Sequence, residues 1–191
     1  MSRYLVVMPD DSSQPILEAI NNASKSLRIK MFAFSDLHLL DAVIAAHRRE
    51  VKVRIMLNPA RRSGEAENEA SHKMLTGAGV EVLDSNPAFD LTHEKSMVVD
   101  EQTAFVMSLN WETKNFTETR DYAVVTKHGH EVGEVIECFD ADWDRKKFDP
   151  HEHSDLIWCV GDGRQRIGTF AIHITTRDHS GFCGRSLHSA S

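Results

Sequence analysis

The sequence contains few of the residues that cross-link a chain or break its regular structure. Its 191 residues include three cysteines, ten glycines and five prolines. The cysteines, Cys138, Cys159 and Cys183, lie far apart and match no zinc or redox spacing, so neither a disulfide framework nor a Cys-based metal site is expected. A chain of this length buries roughly 70% of the surface that it exposes when unfolded, so it can hold a core without cross-links.

Long apolar runs and an excess of positive charge are also missing. No stretch approaches the roughly 20 apolar residues that a membrane helix needs, and the opening MSRYLVVMPDD turns acidic too early for a secretory signal. We therefore expect a cytoplasmic protein, either soluble or peripheral at a membrane. The 22 Lys and Arg residues against 29 Asp and Glu disfavour nonspecific nucleic-acid binding, although they leave a local basic site open.

Short β-branched runs alternate with segments of helical periodicity as far as residue 144. Strands are predicted at 4–8, 27–34, 51–57, 80–83, 95–99, 103–107 and 121–126, and helices at 14–25, 39–47, 64–76 and 131–144. The early strand-helix-strand order is typical of parallel strands with right-handed crossovers, and the runs on either side of 100–102 suggest a hairpin. The predicted fold class is α/β, with a mixed, mostly parallel sheet flanked by helices.

Polar side chains with complementary chemistry gather around the predicted hairpin. On an extended chain, residues two apart share a face, so His93 points the same way as Lys95, and Ser108 the same way as Asn110. If the two runs pair, an imidazole, an ammonium, a hydroxyl and a carboxamide converge on one small site. Such a set suits a phosphate, because fixed donors would stabilise the charge that grows in a phosphoryl transition state.

The spacing of these residues resembles a known signature. His93-x-Lys95, four residues, Asp100, six residues and then Met107-Ser108-Leu109-Asn110 is similar to the HxK(x)4D(x)6GSxN motif of the phospholipase D superfamily. The resemblance covers roughly residues 1–148, or one whole repeat of that fold, and includes the CFDADW segment near its end. Met107 stands where the family usually has glycine.

This resemblance implies a metal-independent phosphodiester exchange. One motif's histidine attacks phosphorus to form a phosphohistidine, and a second motif's histidine protonates the leaving alcohol, so two easier steps replace one difficult displacement. His93 would be the nucleophile or the acid, beside Lys95 in the same catalytic group. Lys95 and Asn110 would hold the non-bridging oxygens, with Ser108 as a further substrate-binding donor.

Two aspartates complete the predicted site. Asp121 could accept a hydrogen bond from the other ring nitrogen of His93 and so fix its tautomer. Asp100 belongs to the catalytic signature, but the resemblance gives it a structural ion-pair or turn role instead of direct contact with phosphate. Four histidines near the end of the repeat suggest a metal site at first glance; they are His128, His130, His151 and His153. No carboxylate or cysteine stands at a convincing ligand spacing from them, so neither a metal nor any other cofactor is expected.

The chain carries one motif, whereas the implied mechanism needs two histidines. Residues 1–150 are predicted to form the phospholipase D-like domain. Residues 151–167 echo the opening strand and helix and suggest the start of a second, truncated repeat, and 168–191 read as a poorly ordered tail. Either a homodimer or a missing second repeat would complete the site.

Three functions follow as hypotheses. The first is an enzyme that hydrolyses phospholipids or transfers phosphatidyl groups, as in the N-terminal repeat of a bacterial two-repeat protein of the cardiolipin-synthase kind. The second is a metal-independent nuclease of the same superfamily. The third, suggested by Met107 and the single motif, is an inactive repeat that only binds phosphate groups or dimerises.

Overall fold

The computed structural model describes residues 3–59, 64, 66–151, 154, 156–158 and 167, and the chain divides into two compact units, 1–149 and 150–191. The strands of the first unit are β1 (Arg3–Val7), β2 (Ser26–Met31), β3 (Lys52–Leu57), β4 (Glu81–Asp84), β5 (Ser96–Val99), β6 (Thr103–Met107) and β7 (Tyr122–Thr126). Its helices are α1 (Gln14–Asn21), α2 (Leu37–Arg48), α3 (Glu69–Gly77), α4 (Thr113–Thr117) and α5 (Gly129–Trp143).

Every strand and helix predicted in the first unit has a counterpart within a few residues of its predicted bounds, and α4 is an addition too short to show a periodic pattern. Among the described residues, no helix is both long and apolar enough to cross a membrane. The predicted second repeat at 151–167 lies mostly outside the described residues, and the predicted tail at 168–191 lies wholly outside them. Both therefore stay predictions.

The seven strands form one sheet in the order β1-β7-β6-β5-β2-β3-β4. Only the β2–β3 and β3–β4 pairs are parallel, whereas the other four pairs are antiparallel. The prediction of a mostly parallel sheet is therefore wrong. The first four strands do run in one direction, but β5, β6 and β7 insert between β1 and β2, so β1 ends up beside an antiparallel neighbour.

One face of the sheet carries the main apolar core. Alternate residues of the central strands point into it, among them Ile29 of β2, Ile55 of β3 and Phe105 of β6, all at most 1% exposed. Helices α1 and α2 cover this face, with Ile16 and Ile20 of α1 spaced four apart so that both reach the core. Asp36 starts α2 by accepting a hydrogen bond from the Leu39 amide at 3.1 Å.

The opposite face meets α5 through charged as well as apolar side chains. Helix α5 carries an apolar stripe, in which Val132, Val135 and Phe139 are buried. Beside it, Arg54 of β3 donates to Asp140 of α5 at 2.6 Å and lies over the Phe139 ring, 5.4 Å from its centroid. The sheet therefore has one apolar face and one face on which ion pairs seat the last helix.

The β5–β6 turn ties the hairpin to the start of β2. Asp100 and Glu101 have φ values of 53° and 60°, and two such residues in succession are typical of a type I′ turn, in which Asp is favoured. The Asp100 carboxylate accepts hydrogen bonds from the amides of Ser24, Lys25 and Ser26 at 2.7–3.2 Å. Burial alone would raise the pKa of Asp100, but these hydrogen bonds outweigh it and lower the pKa below its ordinary value.

We expect Asp100→Ala to lower the free energy of unfolding by about 2–4 kcal/mol at pH 7, because three amides lose a charged acceptor. Since the folded-state pKa of Asp100 is depressed, its contribution is present above the unfolded pKa of about 3.9 and disappears as pH falls through the folded value. Urea unfolding of both proteins should therefore show a difference in the free energy of unfolding at pH 7 that narrows in acid. Asp100→Asn, which keeps one acceptor oxygen, should lose less, and a gap below 0.5 kcal/mol for the alanine variant would contradict this role.

Candidate active site

His93 and Lys95 lie in an extended segment, residues 91–95, that leads into β5 without belonging to it. The Thr92 amide donates to Asn58 Oδ1 at 3.0 Å, and the Lys95 carbonyl accepts from the Met107 amide at 2.9 Å, so both ends of the segment are anchored. His93 is exposed, whereas Lys95 is buried. The exposed imidazole thus lies at the surface with a buried lysine beneath it.

The two side chains point to the same side, as their spacing predicts. Lys95 Nζ donates to the His93 carbonyl at 2.7 Å and lies 3.0 Å from His93 Nδ1. A charged Lys95 can only donate, so in this contact Nδ1 accepts and the proton of a neutral ring lies on Nε2. Glu94, between them, turns the other way and meets Lys30 of β2.

Phe32, just past the end of β2, forms the apolar wall of this group. Its ring centroid lies 4.7 Å from that of His93 and 5.1 Å from Lys95 Nζ. Burial of Lys95 lowers the pKa of its ammonium from 10.5 to about 8, and the negative charge of Asp121 opposes this shift only in part. Sequence analysis did not assign Phe32 to the site, because its run has the alternating pattern of an ordinary strand.

Asp121 is the acceptor at the centre of the polar side of the site. It accepts from Ser108 Oγ at 2.7 Å, Thr119 Oγ1 at 2.5 Å and Asn115 Nδ2 at 3.3 Å. Burial alone would raise its pKa, but these hydrogen bonds, with the charge of Lys95, lower it. Asp121 is therefore a carboxylate that interacts electrostatically with Lys95. Its role in fixing the tautomer of His93 stays a prediction.

Ser108 reaches Asp121 because the chain bends where β6 ends. Lys95 lies opposite Met107, so a regular pleat would put Met107 on the Lys95 face and Ser108 on the other. The strand stops at Met107, and the Ser108 hydroxyl then accepts from the Tyr122 amide at 3.0 Å while donating to Asp121. Because the chain departs from the regular pleat here, the Ser108 side chain can contact Asp121.

Asn110 lies two residues beyond Ser108, between the buried side chains of Leu109 and Trp111. Its Nδ2 donates to Glu112 at 3.1 Å, and its Oδ1 is buried with no hydrogen-bond partner within the described part of the chain. Glu112 is a carboxylate that the sequence reasoning did not single out. The structure thus links His93, Lys95, Asp121 and Ser108 through contacts and charge and places Asn110 at the adjoining bend.

Asp100 lies away from this group. It follows the last residue of β5, whereas Lys95 precedes the first, so the four residues of the strand separate them by roughly 15 Å. The carboxylate of Asp100 therefore lies apart from the contact between His93 and Lys95, at the turn where the resemblance places a structural role, and its assignment to the catalytic residues stays a prediction.

Three potential metal ligands occur on the α5 side of the sheet, where Glu94, Cys138 and Asp142 offer atoms within 4.8 Å of one another. Lys30 Nζ already contacts all three, at 2.8 Å, 3.6 Å and 2.7 Å. Burial raises the pKa of the Cys138 thiol to about 12, so the thiolate that a metal needs is disfavoured. These residues form an ion-pair cluster in which the Lys30 ammonium is the cation.

Solved structures with the same fold define the class. The chain superposes on Nuc from Salmonella typhimurium, described as a phospholipase D family member, with a TM-score of 0.66 and 23% identity, over 78% of this chain and 99% of that one. It also superposes on a polyphosphate kinase from Porphyromonas gingivalis with a TM-score of 0.73 and 17% identity, over 94% of this chain and 32% of the kinase. The fold is that of phospholipase D family members.

Sequence comparison gives the family. Residues 16–143 match the family described as "Cardiolipin synthase, PLD-like domain". Human mitochondrial cardiolipin hydrolase is 30% identical over 140 residues, which are 73% of this chain and 53% of that protein, so the chain spans about half the length of this relative. The chain therefore belongs to the phospholipase D superfamily, within the PLD-like domain family of cardiolipin synthases.

We expect Lys95→Met to raise the free energy of unfolding at pH 7 by about 1–3 kcal/mol, because it removes an ammonium whose pKa is held at about 8 by burial. Between pH 8 and 10.5 the unfolded chain binds more protons than the folded chain, so the stability of the wild type rises with pH over that window. The difference in the free energy of unfolding between Lys95→Met and the wild type therefore narrows. Urea unfolding at several pH values measures this. Lys52→Met, at an exposed lysine of β3, should change stability by less than about 0.5 kcal/mol. A destabilised Lys95→Met protein would contradict the prediction.

Proposed function

We propose that the chain is a phosphodiesterase or phosphatidyltransferase of phospholipase D type that acts on phospholipids through a phosphohistidine intermediate. The observation that carries the proposal is the exposed His93 imidazole in contact with the buried Lys95 ammonium. Membership of the superfamily supports phosphodiester chemistry, and the cardiolipin-related names of the family and of the human relative favour a lipid substrate.

The roles of the residues follow from the donors that the site offers. A deprotonated imidazole nitrogen of one His93 attacks phosphorus, and the bond from phosphorus to the leaving alcohol breaks as a second histidine delivers a proton to that alcohol. Water or another alcohol then attacks the phosphohistidine, gives its proton to the second histidine and releases the product. Lys95 and Asn110 hold the non-bridging oxygens, and Ser108 donates nearby, while Asp121 keeps Lys95 charged through its own negative charge.

The second histidine comes from a second motif. A homodimer supplies it when two copies of His93 face one another across a symmetric interface, and a second repeat beyond this chain supplies it otherwise. The match covers 99% of the Nuc chain, so that chain consists of one such unit, and this likeness supports the homodimer. The echo of the opening strand and helix in 151–167 favours the longer protein.

We expect the purified chain to cleave cardiolipin in phospholipid vesicles with EDTA present, and His93→Asn to lose this activity by at least about 10³-fold, because the nucleophile or acid is removed. Phosphatidic acid and released alcohol, measured by mass spectrometry, report the reaction. His130→Asn, at an exposed histidine in the first turn of α5, is the matched control and should keep wild-type activity.

The same preparation decides between substrates. Cleavage of single-stranded DNA without lipid turnover would favour the nuclease hypothesis. If neither DNA nor lipid is cleaved, the result would favour an inactive repeat that binds phosphate groups. Lipid cleavage that His93→Asn leaves unchanged would contradict the proposal.

Co-expression of equal amounts of wild type and His93→Asn tests whether one site uses two copies of His93. If both copies are required, random pairing leaves about one quarter of the wild-type activity, whereas independent sites leave about one half of it. Light scattering should give about twice the 21.6 kDa chain mass for the homodimer. An active monomer would contradict the homodimer, and an inactive monomer would point to the missing second repeat.

A further inference from the structure

Lys30 is a fully buried lysine on the α5 side of β2, with 1% of its surface exposed. Its ammonium donates to Glu94 at 2.8 Å and to Asp142 of α5 at 2.7 Å, and its pKa is raised. Burial by itself would lower that pKa, but the charges of Glu94 and Asp142, together with the hydrogen bond to Asp142, outweigh it. Lys30 is therefore charged while buried.

Glu94 is the residue between His93 and Lys95. One of its oxygens accepts from Lys30, and the other accepts from Ser96 Oγ at 2.7 Å. The segment that carries it lies outside the strands, and between its anchored ends at Thr92 and Lys95 the Glu94 side chain provides a further anchor. His93 and Lys95 point to one side of this segment and Glu94 points to the other, which places the anchor directly behind the two predicted active groups.

We propose that Lys30 and Glu94 are positioning residues, which hold the backbone between His93 and Lys95 so that the imidazole and the ammonium keep their 3.0 Å contact. The inference rests on the proposed function for its kinetic readout. A buried ion pair is often no more stabilising than well-packed apolar residues of similar volume, so stability alone does not explain why this strand holds a charged lysine in its interior. Fixing a segment that would otherwise have several conformations does explain it, because small displacements of reacting groups lower rates strongly.

Asp142 provides the matched control. It contacts the same Lys30 nitrogen at nearly the same distance as Glu94, but it belongs to α5 and is not joined to the His93 segment. If the cluster only stabilises the fold, Glu94→Gln and Asp142→Asn should have similar effects on every readout. If Glu94 positions the segment, the two variants should separate.

The test compares both variants with wild type, using bis(p-nitrophenyl) phosphate as the probe for kcat and KM. We expect both to lose stability in urea, but only Glu94→Gln to lower kcat by about 10–100-fold with KM within about twofold, because the reacting groups are displaced and phosphate binding is kept. The ¹⁵N signals of the His93 ring, assigned by their absence in His93→Asn, should shift in Glu94→Gln and stay in place in Asp142→Asn.

The ring signals separate failure of this inference from failure of the proposed function. A wild-type chain that does not cleave the probe counts against the proposed function, while the His93 signals still decide the positioning role. If Glu94→Gln does not fold, Ser96→Ala removes the second anchor of the Glu94 carboxylate without changing charge, and it should shift the same signals by less. Unchanged His93 signals in the folded variant, or equal shifts in Asp142→Asn, would overturn the inference.

Discussion

The proposed chemistry of this protein rests on one interaction, the contact of a buried ammonium with an exposed imidazole. Lys95 lies against Phe32 just before the start of β5, and its desolvation lowers its pKa to about 8. A lysine in that state is costly to the fold but strongly attracts an anion that enters the site, because little water screens its charge. The hydrogen bonds that Asp121 accepts keep its carboxylate charged. This negative charge lies close enough to Lys95 to offset part of the cost of burying the ammonium.

The two faces of the sheet differ in what they contribute to the protein. The apolar face packs against α1 and α2 and holds the main hydrophobic core. The other face carries Arg54 and Lys30, which bind acidic residues of α5. Charged groups add little net stability when buried, but their directional contacts specify one arrangement, and this face lies directly behind the segment that carries His93.

Much of this could be predicted from the sequence. Strands and helices were recognisable from period-two and helical spacing, and the motif spacing indicated which side chains share a site. The order of the strands in the sheet could not be predicted, because it depends on which strands meet after the chain crosses the sheet. The local residue pattern contains no information on that. Asp100 shows the same limit, since its spacing associates it with the motif while its amide partners at 24–26 are distant in sequence.

The local elements, the family and the placing of His93 and Lys95 on one side of the chain can be predicted from the sequence, because each depends on residues close together along it. The contact of Ser108 with Asp121 and the burial of Lys95 against Phe32 become evident only in the folded protein. The same is true of the contact between Lys30 and Glu94, which is far along the chain. These contacts depend on packing between distant segments, and packing is a property of the assembled sheet and helices.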